Sequence, residues 1–259
     1  MLGRLARQLR PLAPRLVVMN ASRCPSFLTG EMEATWPGSG CRICFEERPL
    51  GAPATLARLA GRMAGGTWMV VNTDMVMTDF EPERLLEAHR TVGADWTVLV
   101  GDLPSRGEYS ALPVEDDRFG KGMGEPAHYW GVSVMEPCIP MLCRELQLSG
   151  GMFSTLATQA LRRELELRVF RGTGDWLDLG RMDMLPGNIL AGGSFVHPTA
   201  RVSADARLSG GYHVGAGCVV AAGTTVRDSV MLGGSTLESG TLEGTILPWL
   251  CRHGEGGTA

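Results

Sequence analysis

Val196-His197-Pro198-Thr199-Ala200-Arg201-Val202-Ser203-Ala204-Asp205-Ala206-Arg207-Leu208 opens a stretch in which an aliphatic residue recurs at every sixth position: Val196, Val202, Leu208, Val214, Val220, Val226 and Leu232. A helix repeats near 3.6 residues and a strand at about 2, so neither element alone makes this period. A coil of short flat faces does, with each face turning one aliphatic side chain inward. The residues four places on agree. Ala200, Ala206, Tyr212, Cys218, Thr224, Val230 and Thr236 are small or β-branched at six of the seven positions, as a cramped inner corner requires. After Leu232 the spacing loosens, and Leu237 and Leu242 arrive early. Gly192-Gly193 marks a hinge before the repeat.

This pattern resembles the hexapeptide repeat of left-handed parallel β-helices. It divides the chain of 259 residues into an α/β part over 1–192, a coil over 193–250 and a tail over 251–259. The composition, 44% hydrophobic and 20% charged, is that of an ordinary globular chain. A net charge of −4 gives no reason to expect nucleic-acid or membrane partners. No apolar run reaches the roughly 20 residues of a membrane span, and arginines interrupt every apolar stretch near the N-terminus. Lys121 is the only lysine, so chemistry needing an ammonium group has one candidate.

Seven scattered cysteines point to a reducing compartment, hence a cytoplasmic location. Cys41 and Cys44 form a C-x-x-C, but Cys41-Arg42-Ile43-Cys44-Phe45 reads as a strand. Residues three apart on a strand face opposite sides, and no second ligand pair stands near, so a structural reading is preferred over redox or zinc.

Leucines at 2, 5, 9 and 12 share one helical face, and Pro14 ends that helix. Strands are expected at Leu16–Met19, Arg42–Phe45, Trp68–Asn72, Trp96–Val100, Tyr129–Met135 and Leu167–Phe170. Helices are expected over Pro53–Met63, over Pro82–His89 with Gly93 as the stop, and over Ser154–Glu166. The alternation implies a Rossmann-like, mostly parallel sheet with helices on both faces.

In open α/β sheets, ligands bind beyond the carboxyl ends of the strands. Asn72-Thr73-Asp74 follows the third strand, and Asp175-Trp176-Leu177-Asp178-Leu179-Gly180 lies well downstream. A turn or cap role is the ordinary reading of either aspartate alone. Two such carboxylates on one cleft are a usual means of holding Mg²⁺ against phosphate oxygens.

Four motifs in order then carry a resemblance. Val70-Val71-Asn72-Thr73-Asp74 resembles the V-V-N-G-D of sugar-phosphate nucleotidyltransferases. Glu47-Arg48-Pro49-Leu50-Gly51-Ala52-Pro53-Ala54 is similar to their E-x-P-L-G-T-A-G turn. Asp175 to Gly180 resembles their G-x-W-x-D-I-G, and His128-Tyr129-Trp130-Gly131-Val132 the strand at their sugar pocket. The order, the spacing and the following repeat resemble the mannose-1-phosphate guanylyltransferase branch. The resemblance implies transfer of a nucleotidyl group from an NTP, with GTP favoured, to a sugar 1-phosphate. It also implies Asp74 and Asp178 as catalytic Mg²⁺ ligands, and Leu50, Gly51, Asn72 and Thr73 as nucleotide contacts. Lys121, Glu125, Gly131 and Trp176 would meet the sugar phosphate.

Several residues depart from the pattern. Thr73 stands where the family has Gly, and Pro53-Ala54 where it has Ala-Gly. The family's opening strand and G-x-G-T-R-L-x-P-L loop have no counterpart before the first helix, so weak or absent transferase activity is expected of this chain. The alternatives are a regulatory or scaffold relative that binds nucleotide-sugars without turnover, and a repeat-type acyltransferase using His213 or His197 as base. Open coil ends must be capped or paired, so homo-oligomer formation through the coil is expected under each reading.

Overall fold

The computed structural model describes residues 2–22, 25–104, 109–119, 124–180, 185–190 and 193–248. The chain forms two compact units, 1–176 and 177–259.

The first unit begins with helix α1 (Leu2–Leu9), continued by a 3₁₀ turn, Arg10–Leu12. Ala6 on α1 is buried, while Arg4 and Gln8 donate to the Met77 carbonyl at 3.1 and 3.0 Å. Strand β1 (Leu16–Ala21), helix α2 (Pro25–Thr35) and strand β2 (Gly40–Phe45) form a crossover unit, with β1 and β2 parallel. Met32, Trp36 and Cys41 close one face of it over Val17, Met19 and Ile43. Cys41 and Cys44 are both buried free thiols on β2, and Cys41 packs within this apolar cluster.

Helix α3 (Ala52–Met63) buries Pro53, Leu56, Ala60 and Met63, a spacing of three and four that lays one stripe on the core. Strands β3 (Trp68–Val71) and β4 (Met75–Met77) follow, then helix α4 (Pro82–Val92). Gly93 ends α4 in the left-handed region, φ 66°, with its N–H on the Arg90 and His89 carbonyls. Next come β5 (Trp96–Asp102), the hairpin of β6 (Leu112–Glu115) and β7 (Arg118–Phe119), and the long β8 (Glu125–Met135). Helix α5 (Cys138–Glu145), a π-helical turn (Met152–Ala157), α6 (Thr158–Arg162), β9 (Leu167–Arg171) and β10 (Trp176–Asp178) complete this part.

The main sheet has the order β3-β8-β5-β9-β7-β6. It is mixed, which corrects the mostly parallel sheet read from the sequence. Only β5 and β9 pair in parallel; β8 runs antiparallel to β3, β5 and β6. The reason is the connection. A crossover through α4 returns β5 in the direction of β3, but the β6–β7 hairpin delivers the chain to β8 from the end at which β5 finishes. Strand β8 therefore has to run back between them. One edge of β8 is shared, β3 taking Val132–Met135 and β6 taking Glu125–Ala127. Because β7 also pairs with β9, strands β5 to β9 close into a five-stranded ring.

Helices cover both faces, as expected. Trp96, Val98 and Val100 enter the larger cluster with Leu56 of α3 and Leu142 of α5. Leu99 points the other way, into a second cluster with Leu85 of α4 and Trp130. His89 of α4 is buried. Its Nδ1 lies 2.8 Å from Thr97 Oγ1 and its Nε2 3.2 Å from Glu136 Oε1, which also accepts from the Thr67 hydroxyl at 2.7 Å. That network pins α4 to the sheet with its polar atoms satisfied.

The second unit begins inside β10, ahead of the boundary at 192 expected from the sequence. Helix α7 (Leu185–Leu190) packs on the strands that follow it, which is why this segment groups with them. The strands are β11 (Phe195–Val196), β12 (Arg201–Val202), β13 (Arg207–Val214), β14 (Val219–Val220), β15 (Thr225–Met231), β16 (Thr236–Leu237), β17 (Thr241–Glu243) and β18 (Ile246–Leu247). All pairings among them are parallel, in one sheet β11-β13-β15-β17 with β18 on β15, and another β12-β14-β16. Phe195 pairs with His213, Arg201 with Val219 and Arg207 with Thr225, eighteen residues apart each time. Later rungs shorten: Val220 pairs with Leu237 and Val226 with Leu242, seventeen and sixteen apart. The loosened spacing after Leu232 is this shortening. Val214, Val220, Val226, Cys218 and Met231 form the inner cluster, with Ala200, Val202, Ala206, Leu208 and Tyr212 against it.

Candidate functional site

Within the first unit, the residues singled out from the sequence gather just beyond strand ends. Asn72 follows β3, and its N–H donates to the Gly131 carbonyl at 2.8 Å. Gly131 has φ +83°, and a Cβ there would stand 3.0 Å from Asn72 Cβ and 3.0 Å from Met75 Cγ. Only glycine meets both demands without strain. Asn72 and Thr73 are exposed at the top of this contact, and Asp74 is half-buried in the turn leading to β4. The structure thus joins Asn72 and Gly131, which the sequence places 59 residues apart.

A second turn follows β2. Glu46 is 2% exposed, although the next four residues are exposed. Its Oε2 accepts from the Leu50 N–H at 3.2 Å and its Oε1 from the Thr55 hydroxyl at 2.5 Å. Its own N–H donates to the Ala21 carbonyl at 2.8 Å, extending the β1–β2 ladder. Leu50 is 37% exposed, and Gly51 precedes α3 with φ +84°. Leu50 and Gly51 therefore sit on a turn whose base is a buried carboxylate.

The third element is aromatic. Trp176 packs its ring against His128, with centroids 4.4 Å apart, and against Tyr109 at 5.3 Å; Tyr109 and His128 lie 4.7 Å apart. The segment before Trp176 is fixed to the end of β4. The Thr78 N–H donates to the Asp175 carbonyl at 3.0 Å, and the Asp175 N–H to the Thr78 hydroxyl at 2.8 Å. Trp130, on the strand carrying His128, lies in the same cluster as Trp176 and Val132. Its ring spans two glycines so closely that a Cβ at Gly101 or Gly172 would fall 2.2 or 2.4 Å from it.

The remaining expected site residues are Glu125, Asp178 and Lys121. Glu125 begins β8, six residues before Gly131 and so up to about 20 Å along the strand from it. It is exposed and ion-paired with Arg171 at 3.6 Å. Asp178 ends β10, is 6% exposed and accepts the Gly180 N–H on Oδ1 at 2.8 Å. That is a turn-closing contact, the ordinary role weighed for it in the sequence. Lys121 lies outside the described residues. Among the described residues no three His, Cys, Asp or Glu side chains group as a metal site, and no helix is long and apolar enough to cross a membrane.

Glu46 and Tyr109 escaped the sequence reading. Glu46 stood one place before the quoted turn, and its only signal was a carboxylate at a strand end followed by Pro49 and Gly51. Tyr109 carries no local pattern, because its partners are 19 and 67 residues away.

No family model matches the chain. A mannose-1-phosphate guanylyltransferase of Mycobacterium tuberculosis (strain ATCC 25618 / H37Rv) is 25% identical over 252 residues, covering 86% of this chain and 68% of that protein. Among solved structures, HddC from Yersinia pseudotuberculosis matches with a TM-score of 0.56 at 12% identity, over 72% of this chain and 83% of that one. The same protein complexed with GMP-PN matches with a TM-score of 0.55 at 12% identity, over the same shares. A putative glucose-1-phosphate thymidylyltransferase from Bacillus anthracis, in complex with a sucrose, matches with a TM-score of 0.57 at 14% identity, over 73% and 81%. These likenesses show a shared fold. With the weak sequence similarity, they support a relationship to sugar-phosphate nucleotidyltransferases.

Proposed function

We propose that the chain binds an NTP and a sugar 1-phosphate and transfers the nucleotidyl group between them, most like a mannose-1-phosphate guanylyltransferase. A phosphate oxygen of the sugar 1-phosphate attacks the α-phosphorus, a new P–O bond forms, and the bond to the β-phosphate breaks. The products are an NDP-sugar and pyrophosphate. The observation that carries this reading is the Asn72–Gly131 clasp: two motifs distant in sequence meet beyond the carboxyl end of β3, where α/β folds place ligands.

In this reading the Leu50–Gly51 turn approaches the base through its backbone, and Asn72 and Thr73 hold the nucleotide. Gly131 lies against the sugar ring through its backbone, and Trp176 forms an apolar wall to it. Lys121 and Glu125 enter through the resemblance alone, as sugar-phosphate contacts. Asp74 and Asp178 are proposed as Mg²⁺ ligands; hard carboxylate oxygens suit that ion, which takes one or two of them and completes its shell with phosphate and water. When bound, Mg²⁺ supplies neutralisation of the phosphate charge. GTP is the proposed base partner and the cytoplasm the proposed compartment. The parallel strands of the second unit are proposed to form a left-handed β-helix of hexapeptide repeats that pairs copies of the chain.

The test is calorimetric binding of GTP, other NTPs and mannose 1-phosphate in MgCl₂, together with a pyrophosphate-release assay. NTP binding with formation of an NDP-sugar supports transfer. Saturable nucleotide-sugar binding without release assigns the regulatory, binding-only role. No binding of either ligand class overturns both.

A further inference from the structure

We infer that Glu46 is the positioning residue of the nucleotide-base turn: its buried carboxylate fixes the Leu50–Gly51 backbone in the one arrangement that reads the base. This rests on the proposed nucleotide site and adds a residue to it.

The turn 47–51 is exposed throughout, and nothing apolar holds it down: Leu50, its one large hydrophobic side chain, is 37% exposed. An exposed turn of this kind is ordinarily mobile. Here one side chain ties the turn to the helix that follows it. Glu46 Oε2 takes the Leu50 N–H at 3.2 Å, and Oε1 takes the hydroxyl of Thr55, one turn into α3, at 2.5 Å. The Glu46 N–H is itself fixed to the Ala21 carbonyl at the end of the parallel pair β1–β2. A line of hydrogen bonds therefore runs from the sheet, through one carboxylate, to the turn and the helix behind it.

Placing a carboxylate at 2% exposure carries a desolvation cost. Both oxygens recover hydrogen bonds, and the first turn of α3 favours negative charge near it. What this arrangement secures is not a hydrophobic contact but the direction of a backbone. With Leu50 N–H turned inward to Glu46, the outer side of the turn is left to the following peptide, where Gly51 at φ +84° has no side chain to block approach. Recognition of a base by such a backbone depends on geometry held to fractions of an ångström. A purely structural role for Glu46 predicts something different, a general loss of stability with no preference among ligands.

The experiment compares Glu46→Ala, Glu46→Gln and Thr55→Val with the wild-type chain, by calorimetry with GTP, ATP and mannose 1-phosphate separately, and by thermal unfolding. Glutamine can keep both contacts, its carbonyl accepting from the Leu50 N–H and its amide donating to the Thr55 hydroxyl. The expected result is that Glu46→Ala weakens GTP binding about tenfold or more and narrows the GTP-to-ATP preference. Mannose 1-phosphate binding stays within about twofold of wild type, Thr55→Val weakens GTP binding by a smaller factor, and Glu46→Gln restores most of the affinity. If Glu46→Ala does not fold, Thr55→Val and Glu46→Gln carry the comparison. Equal weakening of both ligands, or GTP binding unchanged in the folded variants, overturns the inference while leaving the nucleotide site in place. A wild-type chain that binds no NTP overturns the nucleotide site, and this inference with it.

Discussion

Asn72 and Gly131 hold each other in two ways: the Asn72 N–H donates to the Gly131 carbonyl at 2.8 Å, and the Asn72 Cβ lies 3.0 Å from where a side chain on residue 131 would begin. The hydrogen bond sets the direction in which the chain leaves β3, and the missing side chain lets the two backbones come that close. Gly131→Ala would impose both a strained φ and a contact tighter than packing allows. It is expected to cost about 1–3 kcal/mol, read as a lower urea midpoint. If the site is the one proposed, ligand binding falls as well, because Asn72 is displaced. A variant as stable as wild type would show that the backbone at 131 relaxes freely.

Trp130 offers a second test of close approach. Its ring crosses Gly101 on β5 and Gly172 after β9, leaving no space for a methyl group at either. Gly101→Ala and Gly172→Ala are each expected to destabilise by about 1–3 kcal/mol through overpacking. Shrinking the ring should relieve the clash. In a double-mutant cycle with Trp130→Leu, the penalty of each alanine drops by about 0.5 kcal/mol or more. Additive losses would place the strain somewhere other than the indole.

These two contacts show what could be read from the chain and what could not. The strands β2, β3 and β5 and the helices α3 and α4 carry strong local periodicity or end signals, so their positions followed from the residues. The burial of Val214, Val220 and Val226 was legible from their spacing, whereas Val196, to which the same spacing gave an inward place, is 37% exposed on the outermost strand β11. The direction of β8 was not. A strand's sequence states which residues are buried, not which way it runs, and direction here is decided by the β6–β7 hairpin. The small hairpin was itself hidden, since Asp116 and Asp117 make its turn at φ 49° and 57° without a glycine. At the site, Asn72 and Gly131 could be named from motifs, but their contact is a property of the sheet register. Glu46 was invisible because burial, not residue type, makes it unusual.

His213 predicts a pH dependence for the second unit. Burial lowers its proton affinity below the ordinary value of 6.5, and the neighbouring His197 lowers it further. The folded chain therefore holds this proton more weakly than the unfolded chain does. Well above pH 6.5 both states are neutral at this ring and stability is full; as the pH falls through that value, the unfolded state takes up the proton first and stability declines. The melting temperature of the full chain is expected to fall between pH 7.5 and pH 5. His213→Gln should make that fall shallower, since it removes the group while keeping a polar side chain beside Phe195, whose ring centroid lies 5.1 Å from the imidazole. An identical pH profile in the variant would assign the decline to other groups.

The proposed metal ligands are best separated from their structural roles by amide replacement. Asp178 is 6% exposed and closes a turn through Oδ1 and the Gly180 N–H. Asp74 is half-buried in the turn between β3 and β4. Asparagine keeps an acceptor oxygen at each place and removes the charge, so Asp178→Asn can still accept from Gly180. Each variant is therefore expected to unfold within about 1–2 kcal/mol of wild type, while the Mg²⁺ enhancement of NTP binding disappears. Alanine at 178 should instead lose stability as well, because the Gly180 N–H loses its acceptor. Nucleotide binding measured with and without MgCl₂ decides the matter. If Asp74→Asn and Asp178→Asn both retain the full Mg²⁺ effect, neither carboxylate holds the ion.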